Sequence, residues 1–117
     1  MELLLNQRKK RKVYLPHDKL IWIRVDVLIG LSGGDYEVQV TDEDFISSPE
    51  RKSEKIGLTQ HIDQLPIQNE NLSSKGVEDM CLLDYLHEAS ILDNLRLRFK
   101  NLLPYTYTGD IIIAVSR

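Results

Sequence analysis

Residues 20–31 alternate apolar and other side chains with a period of two, and this stretch constrains the fold more than any other. Ile21, Ile23, Val25, Val27 and Ile29 fall on one side; Trp22, Arg24, Asp26 and Leu28 fall on the other. A β-branched set at period two suits a strand with one face on a core and spreads around all sides of a helix. Gly33-Gly34-Asp35 follows as a turn whose glycines accept positive φ, and Tyr36, Val38 and Val40 alternate again. A hairpin over 20–40 is expected.

The stretch 13–15 reads as a short strand broken by Pro16 and His17-Asp18. A polar insertion at 42–55 contains Ser47-Ser48-Pro49, and a further short strand is expected around Ile56 and Leu58. Several short strands with tight turns predict a small twisted β-barrel of the SH3-like kind over 13–65. Residues 66–76, with Asn69, Asn71, Ser73, Ser74 and Gly76, read as a polar linker.

Character changes at 77–117. Val77, Met80, Leu83 and Leu86 fall near helical spacing, and Ile91, Leu92, Leu95, Phe99 and Leu102 form a second helical stripe. Arg96, Arg98 and Lys100 complement the dipole near that helix's end, and Pro104 stops it. A helix pair is therefore expected. Residues 111–115 (IIIAV) are an unbroken apolar run of the kind found in a strand buried on both faces, and no other segment offers it a partner. The fold class expected is mixed α+β, a small barrel followed by a helix pair and one or two strands of an incomplete central sheet.

Charge is uneven. Residues 1–12 hold Arg8, Lys9, Lys10, Arg11 and Lys12 against Glu2, a local +4 in a chain of formal charge -3. This reads as a solvated basic arm; nucleic-acid binding through it is not expected, since it rests on one charge run. The single Cys81 forms no internal disulfide, and the cytoplasm is the expected compartment. No run approaches a membrane span.

Catalytic chemistry is not expected. His17, His61 and His87 are far apart, and no Cys/His pair has zinc spacing. His87 reads as a backbone-bonded turn residue, Asp84 with His87 as a surface pair, and Cys81 as a small core residue. Asn71-Leu72-Ser73 is a coincidental sequon. Tyr105 and Tyr107 read as packing residues, and Trp22 as a cover for the barrel mouth. None of the glycines 30, 33, 34, 57, 76 and 109 is followed by lysine, so no phosphate cradle is present.

The last third resembles the myosin motor head. Its matching residues are Gly76-Val77-Glu78-Asp79-Met80, Tyr85-Leu86-His87-Glu88, Asn94-Leu95-Arg96-Leu97-Arg98-Phe99, Tyr105-Thr106-Tyr107-Thr108-Gly109 and the run 111–115, in the family's order and spacing. Val13-Tyr14-Leu15-Pro16-His17 and Trp22 are similar to the SH3-like subdomain that precedes many such heads. There are two departures: Ala89-Ser90 stand where the family has proline, and Ser116-Arg117 where it has asparagine-proline-aromatic. The resemblance implies a fragment of an ATP-driven actin motor of the cytoskeleton. It implies ATP and Mg²⁺ in the full-length family and none bound here, with the rest of the head and actin filaments as partners. It implies a structural role for Trp22, Gly76, Asp79, Leu86, His87, Glu88, Asn94, Leu95, Arg98, Tyr105, Thr106, Tyr107 and Gly109. A stand-alone SH3-like interaction module is the alternative.

Overall fold

The computed structural model describes residues 9–29, 36–58, 60–70 and 72–115. It is mixed in class and divides into two compact units, residues 1–67 and 68–117.

The first unit is built on the alternating stretch. β1 (Lys9–His17), β2 (Ile21–Ile29) and β3 (Tyr36–Val40) form an antiparallel sheet in that order. Val25 faces Val40, Val27 faces Val38 and Ile29 faces Tyr36, so the expected hairpin is present. Its glycine turn lies outside the described residues. Ile23, Val25 and Val27 are completely buried with Val13, Leu15, Phe45, Ile62 and Leu65. Each such side chain contributes about 1.5–3 kcal/mol on leaving water. The outer edge of β1 is covered where Tyr14 donates its amide to Pro66 O at 2.9 Å and Val13 bridges Ile67. These pairings suit an SH3-like segment; the described strands form a sheet of three, without closure into a barrel.

Three local expectations change. Lys9, Lys10, Arg11 and Lys12 form the first half of β1, because the strand continues through Pro16, opposite Trp22, to His17. Lys10 pairs with buried Asp26 at 2.9 Å and Arg11 with Asp63 at 2.7 Å, so these charges are held by the chain itself. No strand forms at Ile56 and Leu58, which pack half-buried on the core from an irregular segment. The polar insertion contains a one-turn helix, α1 (Glu43–Ile46), which puts Phe45 into the core. Buried Asp42 caps it, accepting from Asp44 N at 3.0 Å and from Arg24 N of β2 at 3.2 Å.

The second unit holds α2 (Glu88–Lys100) and a hairpin of β4 (Tyr105–Thr108) and β5 (Ile111–Ala114). The expected helix over 77–86 is absent. Asp79 caps a single 3-10 turn (Met80–Leu82), and Leu83 returns to extended backbone. The apolar spacing there serves a turn that buries Met80 and Leu83 and leaves Leu82 69% exposed. α2 ends in a Schellman arrangement: Leu103 N donates to Arg98 O at 2.8 Å, Leu102 N to Phe99 O at 3.0 Å, and Leu102 has φ 59°.

The run 111–115 does have a partner, β4, on one flank. Its burial is also unlike the interior strand expected, with Ile111 66% and Ile112 56% exposed. β-branched composition specified the strand; burial on two faces needs layers that the described residues do not supply.

Ile21 (φ 68°) and Leu102 occupy the left-handed region, where a side chain costs roughly 1–2 kcal/mol. Both are largely solvent-exposed. Ile21→Asn and Leu102→Gly are each expected to raise stability by about 1 kcal/mol in urea melts. No gain from either would mean the backbone relaxes without cost.

Candidate functional site

The second unit is organised by polar side chains that stand in for backbone. Asn94, fully buried on α2, accepts from Val77 N through Oδ1 at 2.6 Å and donates through Nδ2 to Val77 O at 3.0 Å. One amide thus satisfies both polar groups of one residue, as a neighbouring strand would. Asn69 does the same for Tyr85, accepting from its N at 2.7 Å and donating to its O at 2.9 Å.

Gly76 has to be glycine. Its φ is 73°, and a Cβ there would lie 2.5 Å from Asn94 Oδ1 and 3.0 Å from Arg98 Cγ. One turn along α2, Arg98 donates from Nε to Thr106 Oγ1 at 3.0 Å and from Nη2 to Tyr105 O at 2.9 Å. That guanidinium fastens the helix to β4 through a buried threonine. On the edge of β4 away from β5, Tyr107 N donates to Glu78 O at 2.7 Å, and Asp79 bridges Tyr107 in parallel. Asp79 Oδ1 also accepts from Cys81 N at 3.0 Å and Gly109 N at 3.1 Å, closing the β4–β5 turn where Gly109 has φ 63°.

Gly76, Asp79, Asn94, Arg98, Thr106, Tyr107 and Gly109 therefore form one connected network between positions 76 and 109. What it does chemically is hold backbone.

No family model matches the sequence. Among curated proteins, Myosin-15 of Arabidopsis thaliana is 35% identical over 112 residues, covering 96% of this chain and 7% of that protein. The Myosin-H heavy chain of Dictyostelium discoideum is 35% identical over 111 residues, covering 95% of this chain and 6% of that one. Myosin-VIIa of Drosophila melanogaster is 38% identical over 108 residues, 82% of this chain and 4% of that protein. The chain belongs to the myosin heavy-chain family. It matches as an N-terminal segment of the myosin head, and it spans no more than 7% of the length of these three relatives.

The remaining residues of the myosin resemblance have narrower roles. His87 is the N-cap of α2: its Nδ1 accepts from Ser90 N at 3.1 Å, and His87 N donates back to Ser90 Oγ at 3.0 Å. This reciprocal box sits at the departure from the family pattern, and it explains how Ala89-Ser90 start a helix without proline. Ser90 Oγ also donates to Tyr85 O at 2.9 Å. Glu88 is the exposed first residue of α2, where its charge favours the dipole; Leu95 is half-buried, and Leu86 is 48% exposed. Trp22 is half-buried in β2, and its indole N–H is buried without an acceptor among the described residues.

Two packing expectations are corrected. Cys81 is exposed, because the 3-10 turn presents it to solvent beside Asp79. Tyr105 is 58% exposed; its backbone carbonyl, not its ring, carries the contact to Arg98. His17 meets Glu54 at 3.0 Å, and His61 caps the 3-10 turn Ile62–Gln64. Asp84 and His87 do not share a helix, and among the described residues no three ligand-type side chains gather. Asn69, Asp42 and Ser90 escaped the sequence reading. Each lies in a stretch whose polarity reads as solvation, and only Ser90, three places after a capping residue, carried a positional signal.

The Cys81 and Gly109 amides, in that order, hold the Asp79 carboxyl below its ordinary value. A depressed folded pKa contributes stability above the unfolded carboxylate range and loses it as pH falls through the folded value. Between about pH 6 and about pH 3, the wild type should lose more stability than Asp79→Asn. Parallel pH profiles would mean that the two amides gain nothing from the charge.

Proposed function

We propose that the chain serves as a structural segment of an ATP-driven, actin-based motor head in the cytoskeleton, with neither a nucleotide site nor an actin site of its own. The observation that carries this is the face α2 buries. Asp93, Asn94, Leu97 and Arg98 are buried with Ala89 and Ser90. The apolar stripe faces outward in part: Phe99 is 39% and Leu102 68% exposed, while Ile91, Leu92 and Leu95 are half-buried. A helix that turns polar groups inward and apolar ones outward is shaped for a second layer against the outer face. The exposed isoleucines of β5 ask for the same. The rest of a myosin head supplies those layers, and ATP with Mg²⁺ belongs to it. Nothing in residues 76–115 offers a phosphate-binding loop, so their contribution is to carry sheet and helix between sites that lie elsewhere. No helix among the described residues is long and apolar enough to cross a membrane.

Two measurements test this. The purified 117-residue chain should show ATP hydrolysis at the level of buffer and no co-sedimentation with actin filaments; activity in either would overturn the reading. Conversely, residues 76–115 grafted in place of the aligned stretch of the Dictyostelium relative's head should leave actin-activated ATPase within about tenfold of the parent. A chimera that folds but has lost that activity would show these residues cannot serve in a motor.

The alternative, an SH3-like interaction module, is favoured by the first unit having a core of its own from Val13 to Leu65. It predicts that residues 9–67 bind a partner peptide without the second unit.

A further inference from the structure

The Ser47-Ser48-Pro49 stretch of the polar insertion has no part in the motor reading. Of the prolines at 16, 49, 66 and 104, only Pro49 follows a hydroxyl residue. Ser48 opens a turn: Arg51 N donates to Ser48 O at 3.2 Å, and Pro49 takes the second place, where its fixed φ fits. A second turn follows at once, with Glu54 N donating to Arg51 O at 2.9 Å. Ser47, Pro49, Glu50, Lys52 and Ser53 are exposed, and Ser48 is half-buried. Eight of the fourteen residues 42–55 are charged, so this segment does not ask for the apolar layers that the outer faces of α2 and β5 require.

Two properties single out Ser48. Pro49 has no N–H and disfavours the helical region for the residue before it, which leaves Ser48 outside α1. An enzyme groove that reads proline there would strand the amide of any other residue unbonded. The second property is Arg51, whose Nε is buried without a hydrogen-bond partner among the described residues. A donor in that state gains from an acceptor, and the turn keeps its backbone within about 7 Å of Ser48. A phosphoryl group offers three acceptor oxygens and nearly two negative charges, which suits the guanidinium fork. A polar cavity of about 290 Å³ beside Arg51 adds the charges of Asp18, Lys19 and Glu50, and His17 and Glu54 meet there at 3.0 Å. Glu43 and Asp44 of α1 would repel a phosphate, so Arg51 and Lys19 are the cations left to hold it.

We infer that Ser48 is an acceptor for a proline-directed protein kinase, and that Arg51 holds the resulting phosphate. Ser48 Oγ attacks the γ-phosphorus of kinase-bound ATP; the Oγ–P bond forms as the bond from that phosphorus to the β–γ bridging oxygen breaks. ADP leaves with the electron pair, and the hydroxyl proton passes to a carboxylate of the kinase. The inference does not rest on the motor reading, because serine, proline and arginine lie within one turn of the first unit.

The test treats the purified 117-residue chain with a proline-directed kinase and ATP, and maps the phosphate by mass spectrometry. Phosphate at Ser48 is expected, and at least about tenfold less of it in Pro49→Ala with far-UV circular dichroism kept. By phosphorus NMR, the second pKa of the phosphate should lie at least about 0.5 unit lower than in phosphorylated Arg51→Gln, since the guanidinium favours the dianion. Arg51→Lys, which keeps the charge, should restore part of that difference. No phosphate at Ser48, phosphate on Ser47 or Ser53 instead, or labelling indifferent to Pro49→Ala overturns the inference. So does a phosphate that titrates alike with and without Arg51. Labelling seen only once urea has unfolded the chain would show the folded turn closed to a kinase, and also overturns it.

Discussion

Gly76→Ala is expected to destabilise the 68–117 unit by about 3 kcal/mol, which lowers its melting midpoint by on the order of 10 °C or more. Two costs add. A Cβ at φ 73° costs roughly 1–2 kcal/mol in any setting. The same atom would lie 2.5 Å from Asn94 Oδ1 and 3.2 Å from Asn94 O. The amide cannot retreat without breaking its bonds to both polar groups of Val77, and leaving a buried polar group unpaired costs about 1–3 kcal/mol. Asn94→Ala alone should cost about 2 kcal/mol for the same reason. In the double variant the overlap with Oδ1 disappears and the backbone strain stays. The two losses should therefore add to less than their sum, by about 1 kcal/mol. Strict additivity in thermal melts would show that the chain near Gly76 shifts away from α2 instead of pressing on it.

Arg98→Met is expected to cost about 3 kcal/mol, with β4 losing protection from hydrogen exchange before α2 does. Methionine fills much of the arginine's volume, so the loss would report the polar contacts. Thr106 Oγ1 is buried, and without the guanidinium both it and Tyr105 O lose a charged donor. Arg98→Lys should recover less than half, because a single ammonium cannot reproduce the planar fork that reaches a side chain and a carbonyl together. A methionine variant within about 0.5 kcal/mol of wild type would show that packing along α2, not the guanidinium, joins helix to hairpin.

The two units differ in how much of them could be read from the chain. In the first, each strand's inward face is set by alternation, and Ile23, Val25 and Val27 lie where their period places them. The strand expected at Ile56 and Leu58 does not form, and the one-turn helix α1 and the extent of β1 escaped there. Lysine and arginine read as solvent-seeking until Asp26 and Asp63, distant in sequence, stand beside them. In the second unit the family motif names residues without saying what they touch. Gly76 and Asn94 are separated by 18 positions, and nothing at either site announces that one is small because the other's amide fills the space. Asn69, in a stretch that reads as linker, has the same function at Tyr85 and carried no signal.

Helix α2 shows the division most directly. That residues 88–100 form a helix follows from spacing, capping and the basic last turn, all of which act within a few residues. Which side of that helix is covered does not follow, because burial depends on what lies across from it. Here Val77, Thr106 and the Tyr105 carbonyl offer hydrogen bonds, so the polar side turns inward and the apolar stripe is left only half-covered. Local sequence thus determined β2, β3, β5 and α2, through period and propensity. Tertiary structure alone decided which faces meet, because a buried amide or guanidinium is stable only where partners brought from elsewhere in the chain satisfy it.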